Sequence, residues 1–319
     1  MSIDRIATAQ QSAFFLAQIN QAGAALDKTQ QQIASGVVSS TYAGFGSQAQ
    51  VLQATISANA RNSAYADATG LATTQTDMQD TQLTSLSNLA AQLKTAISDA
   101  VANNDPSTLM DQVSSLFDQA VSILNTKDAN GDYIYSGGKT DTAPMAVTTL
   151  SQLASLPSVS AAFANGDNKK SVQVADGQVI TYGVTASDVA TGLMQELQSI
   201  AQFDAGASGN FSGSGNLSQA QNTFLTNQIA ATGNVATNLN AATARNGYVY
   251  SALTNAQSQQ NSLNTLYSGF ISNIQDTNMA SAATQLSLNQ TALQAALQMT
   301  AGLNNLSLLN YLPVSTAGG

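Results

Sequence analysis

The run Gly138-Lys139-Thr140 resembles the close of a phosphate-binding loop, in which backbone amides cradle phosphate and a lysine reaches it. The first glycine of that pattern belongs five residues before Gly138, where Tyr133 stands, and Asp141-Thr142-Ala143-Pro144 follows in place of a helix. No helix N-terminus therefore faces a phosphate there. Asp128-Ala129-Asn130-Gly131-Asp132 sets oxygen ligands at alternate positions, like the start of a calcium loop. Its glycine is fourth rather than sixth, and Lys139 takes the place of a bidentate Glu, so a turn stabilised by Asx side chains is the better reading. Asp111 with Asp118, and Asp77 with Asp80, could pair for acid-base work, but such pairs on polar helices are usually solvated faces. Tyr133-Tyr135 and Tyr248-Tyr250 could stack sugars; packing against a domain junction explains them more cheaply.

The residue types that are missing narrow the chemistry further. Cys, His and Trp are absent, which removes a thiolate nucleophile, an imidazole base, a Ser-His-Asp triad and an ordinary zinc or haem site. No cofactor and no metal is expected. Carboxylate chemistry remains open as an enzymatic alternative, although no concave carboxylate cluster can be located. Charged residues make up only 8% of 319 and the net charge is -9, against about a quarter charged in a typical soluble chain. Apart from Lys169-Lys170 the basic residues are scattered, so neither nucleic acid nor an anionic membrane is an expected partner. No apolar run approaches the ~18 residues of a membrane span. The first residues, with Asp4, Arg5 and a short Phe14-Phe15-Leu16 run, do not read as a cleaved signal.

The elements that would carry any function are mostly helices. Leu16, Ile19, Gly23, Leu26 and Ile33 follow one helical stripe, interrupted at Gln30 and closed by Ser35-Gly36. A second helix is predicted over residues 48–102, with a stripe at Leu86, Leu89, Leu93, Ile97 and Val101. Asp105-Pro106 reads as an N-cap and first turn for a helix burying Leu109, Val113, Phe117, Val121 and Leu124. Residues 171–184 alternate around Asp176-Gly177, a hairpin signal, and residues 204–216 read as a flexible Gly-Ser linker. From Leu217 to Asn310 the pattern is helical almost throughout, and an uninterrupted helix would reach on the order of 140 Å at ~1.5 Å per residue.

Within that last stretch the spacing is a heptad. One seam position holds Val235, Ala242, Val249, Ala256, Leu263 and Phe270; the other holds Leu239, Asn246, Leu253, Gln260, Tyr267 and Ile274. The amides Asn246 and Gln260 either fix register from inside the seam or face solvent where it widens. The expected fold is mainly α: an elongated antiparallel coiled-coil rod of long helices from both termini, with a small central β-containing outer domain. The expected divisions are residues 1–46, 47–127, 128–216, 217–275 and 276–319, namely inner helix and turn, rod, outer domain with linker, rod, and inner helix.

Near both termini the apolar stripes are bulky and their flanks nearly uncharged. The residues expected to bury themselves against partners are Phe14, Phe15, Ile19, Leu26 and Ile33 at one end, and Leu286, Leu293, Leu297, Leu303, Leu306 and Leu309 at the other. Low charge density suits surfaces that pack repeatedly against identical copies, because like charges need not be desolvated or juxtaposed.

Three stretches carry a family resemblance. Residues 276–312 (DTNMASAATQLSLNQTALQAALQMTAGLNNLSLLNYL) are similar to the terminal helix of the bacterial flagellin family, which includes the hook-filament junction proteins. Residues 26–36 (LDKTQQQIASG) look like that family's first helix, and residues 128–144 (DANGDYIYSGGKTDTAP) resemble the entry to its outer domain in junction proteins and some short flagellins. Residues 37–46 (VVSSTYAGFG) depart from the charged stretch usual there. The resemblance implies an axial flagellar subunit, exported unfolded without a cleaved signal and polymerised outside the cell through its terminal helices. Implied partners are further copies, flagellin, hook-associated proteins and an export chaperone. A secreted coiled-coil adhesin or tip protein would share the rod but polymerise poorly.

Overall fold

A computed structural model describes residues 2–213 and 215–309, with side chains for all of these except 2–9, 12 and 303–309. The long helices are α1 (Ser2–Ser35), α2 (Ala49–Asn103), α6 (Gln219–Gln275) and α7 (Met279–Leu309). Shorter elements lie between α2 and α6: α3 (Leu109–Leu124), α4 (Leu150–Ser155), strands β1 (Lys170–Ala175) and β2 (Gln178–Tyr182), and α5 (Ala186–Ala205). Among the described residues the one sheet is the β1-β2 hairpin, so the fold is mainly α, as expected from sequence. The chain forms two compact units, a terminal one (Met1–Ala60 with Thr265–Gly319) and a central one (Arg61–Asn264).

In the central unit, α2 and α6 run antiparallel. Asn62 meets Gln260 and Asn264, Thr76 meets Asn246, and Ser87 meets Asn240. The upper part of α2 buries Leu83, Leu86, Leu89, Leu93 and Ile97, as its 3-4 spacing requires, against Leu225, Val235, Leu239 and Ala242 of α6 and the apolar faces of α3 and α5. Helix α5 begins with a capping box: Thr185 Oγ1 accepts from Asp188 N, and the Asp188 carboxylate accepts from Thr185 N. The hairpin turns at Asp176-Gly177, where Gly177 takes φ +75°, a left-handed conformation that glycine adopts without a Cβ clash.

In the terminal unit, α1 and α7 also run antiparallel. Two backbone hydrogen bonds join the exit of α1 to the connection between α6 and α7: Val38 N donates to Gln275 O at 2.8 Å, and Thr277 N donates to Gly36 O at 2.8 Å. Gly36, with φ +73°, turns the chain out of α1 so that this pairing forms.

Four sequence expectations need correction. The helical pattern read from Leu217 to Asn310 is two helices, parted at residues 276–278 beside the division expected at 275/276, and the length of on the order of 140 Å for an uninterrupted helix does not apply. The cause is local: Asn278 Oδ1 accepts from Ser281 N and starts a new helix, while the backbone of residues 275 and 277 pairs with residues 38 and 36. Asp105 accepts from Ser107 N in a turn, and α3 itself begins only at Leu109. Residues 204–213 are not a free linker, because Phe211 is fully buried against Phe203 and its N–H donates to Asp204 Oδ1 at 2.6 Å. A lone aromatic in a Gly-Ser stretch anchors it. Finally, Leu16 is exposed; the inward stripe of α1 runs through Phe15 and Ile19 and continues through Thr29, bridging the interruption at Gln30.

Candidate assembly interface

The phosphate-loop-like and calcium-loop-like runs are tied up in structural roles, whereas Asp111 and Asp118 are exposed on α3 as a solvated face. Lys139 Nζ donates to Ala164 O at 3.2 Å, and Asp128 Oδ1 accepts from the backbone of Asn130 and Asp132 in an Asx turn. Among the described residues no three His, Cys, Asp or Glu side chains gather as metal ligands do. Tyr135 is buried, which pushes its phenol well above the ordinary range, whereas Tyr248 is 78% exposed and packs against no junction. Lys169 pairs with Asp188 at 3.1 Å. Burial acts to raise the Asp188 carboxyl, but Lys169 and the Thr185 donors outweigh it and hold it below the usual range.

The terminal unit presents a different surface. Its charged residues are Asp4, Arg5, Asp27, Lys28 and Asp276 alone. Phe15, Ile19, Leu26 and Ile33 of α1 and Leu286 and Leu293 of α7 are half-buried. Phe14 is 60% exposed and Leu297 50%. Leu303, Leu306 and Leu309 lie in α7, but their side chains are outside the described residues. Periodicity did not single out Leu288 and Met299, which are exposed as well. A polar node holds the pair: Asn289 Nδ2 donates to Ala25 O at 3.1 Å and to Thr29 Oγ1 at 3.0 Å. Hydrophobic patterning gave no signal for this node, since both partners are polar.

The heptad of α6 divides along its length. In the central unit Leu239 and Leu253 are buried, while Val249 and Leu263 are half-buried. Asn246 and Gln260 are buried too, which resolves their two sequence readings in favour of the seam interior. Asn246 Nδ2 donates to Thr76 O and Asp80 Oδ1, and Gln260 Nε2 donates to Thr69 Oγ1 and to Val174 O of β1. In the terminal unit Tyr267 and Ile274 are half-buried, but Phe270 is 51% exposed. Phe270 therefore finds no full cover within the described residues, and with Leu266 four residues earlier it forms an exposed apolar pair on one face of α6.

Among the described residues no helix is long and apolar enough to cross a membrane. Comparison with known proteins matches residues 215–312 to the bacterial flagellin C-terminal helical region. The chain is 34% identical over 102 residues to flagellar hook-associated protein 3 of Escherichia coli (strain K12), a match spanning 31% of each chain. Less than a third of that relative is thus covered. Two solved structures share the fold. A flagellar hook-associated protein from Vibrio parahaemolyticus superposes with a TM-score of 0.56 at 19% identity, covering 72% of this chain and 97% of that one. FlgL of Bacillus cereus gives 0.51 at 12% identity, covering 69% and 98%. Of the resemblances read from the sequence, the C-terminal one is matched: residues 215–312 are similar to the bacterial flagellin C-terminal helical region, and the chain as a whole shares the fold of these two solved structures.

Proposed function

We propose that this protein is an axial subunit of the bacterial flagellum, placed outside the cell, and that it works as a hook-associated junction component by structure and not catalysis. The observation that carries the reading is the terminal unit, an almost uncharged antiparallel helix pair in which, among the described residues, large side chains such as Phe14 and Leu297 stay half or more exposed. Burying such surface against other subunits releases about 25 cal/mol per Å² of apolar area, less the entropy of ordering the helix ends. Partners in this reading are further copies, flagellin and other hook-associated proteins. An export chaperone and passage through the flagellar export channel without a cleaved signal belong to the same reading. The relatives named above are hook-associated, which supports the junction over the bulk filament.

Immunogold labelling of intact flagella, combined with seeding of purified protein onto flagellar fragments, tests this. Label beside the hook and incorporation at fragment ends are expected. Label along the whole shaft would move the protein to the filament. A deletion strain that swims normally, with purified protein that never joins a fragment, would overturn the axial role.

A further inference from the structure

The α2-α6 seam of the central unit has two zones of unlike composition. Residues 83–97 of α2 face a wide apolar core of Leu and Ile side chains, shared with α3 and α5. Residues 62–76 of α2, facing 246–260 of α6, offer mostly small or polar groups: Asn62, Thr69, Ala72 and Thr76 opposite Asn246, Leu253 and Gln260. Two helices bearing such side chains have little apolar surface to bury against each other. The missing layer comes from the hairpin, whose Val172 and Val174 close over Ala72 and Leu253 in a separate small cluster.

Polar ties hold the hairpin along its length. At the tip, Tyr65 OH donates to Asp176 Oδ1 at 2.7 Å. In the middle, Gln260 Nε2 donates to Val174 O at 2.7 Å while also reaching Thr69 of α2. At the base, Gln75 Oε1 accepts from Tyr182 OH and Lys170 Nζ. A two-stranded hairpin is marginal by itself, so its order depends on this seat.

We propose that the hairpin is a removable clamp on the α2-α6 pair: docked, it closes a stretch of seam that the two helices cannot close alone, and its release is the first opening of the central unit. Gln260 is the positioning residue that couples the three elements, since one amide bonds both α2 and β1 from α6. This inference does not rest on the assembly role, and it holds for the monomer in any function.

The chain has no cysteine, so a single introduced thiol reports opening without background. Ala72→Cys places the thiol under the hairpin and Ala90→Cys places it in the wide core; both sites are fully buried. Under native conditions the Ala72→Cys thiol is expected to react with a thiol reagent at least about tenfold faster, as low local stability requires. Adding Gln260→Leu strands Val174 O without its donor and should speed the Ala72→Cys reaction by about tenfold more, leaving Ala90→Cys unchanged. Should Gln260→Leu fail to fold, Tyr65→Phe removes the tip tie and should move the same rate alone, by about threefold. Equal labelling at the two sites, or an added substitution that accelerates both equally, would overturn the clamp.

Discussion

The terminal and central units are built from the same long-helix material and solve burial in opposite ways. In the central unit, α2 and α6 gain third and fourth layers from α3, α5 and the hairpin, and Leu83, Leu86, Leu93, Ile97, Phe117 and Tyr135 are sealed from water. In the terminal unit, among the described residues, Leu52, Ala282 and Thr29 are the ones buried, and α1 and α7 have mainly each other. Charge divides the same way, since nearly all the acidic residues lie between Arg61 and Asn264. The lesson is that amphipathic helices alone do not make a core. A third layer does, and where the chain supplies none, the apolar surface remains for other molecules.

The largest expected contrast is between paired core and surface substitutions. Phe117→Ala should lower stability by about 3–5 kcal/mol, because it opens a cavity at a fully buried site. Leu297→Ala, on a half-exposed side chain, should change monomer stability by no more than about 0.5 kcal/mol. Chemical denaturation of both variants measures this; a comparable loss in each would erase the distinction between the units. Smaller is Asn289→Ala, which strips the tie to Ala25 and Thr29 and should cost about 1 kcal/mol, felt as faster proteolysis of α1 and α7 with no change in the central unfolding transition. A matching drop in that transition would mean the units do not respond separately.

The smallest effect is a pH dependence confined to the central unit. Burial raises the Glu196 carboxyl above its ordinary value. As pH rises through that window the unfolded chain ionises first, so Glu196 withdraws stability between its unfolded and folded pKa and leaves a constant penalty above. Glu196→Gln should therefore melt slightly higher than the parent at neutral pH and level with it at pH values below the ordinary carboxylate range. Asp188 has the opposite sign: its lowered pKa contributes stability above the ordinary Asp range, lost as pH falls through the folded value. A Glu196→Gln variant that melts lower at neutral pH would contradict the burial account.

Much of this was legible in the sequence because it is periodic. The stripe at Leu86, Leu89, Leu93 and Ile97 and the Asp176-Gly177 hairpin emerge where spacing predicts. Three kinds of feature escaped. The sequence places a division at residues 275/276 but not its cause, the backbone pairing of residues 275 and 277 with 38 and 36, a long-range contact that no local window contains. Phe211 turns a loop-like composition into an anchored turn because one aromatic finds Phe203. Polar residues such as Thr29 and Asn289 organise the α1-α7 pairing through hydrogen bonds, to which hydropathy is blind. For the candidate interface, spacing identified the helices and most of the large residues, but it could not sort Phe15, turned inward, from Phe14 and Leu16, turned outward.

Amide hydrogen exchange, followed first in dilute monomer and then after incorporation into seeded flagellar fragments, addresses the central claim most directly. The account predicts that residues 10–35 and 279–302 exchange far faster than residues 83–100 in the monomer and become protected to a similar degree once assembled. Terminal helices already as protected as residues 83–100 in the free protein, with no gain on assembly, would contradict it.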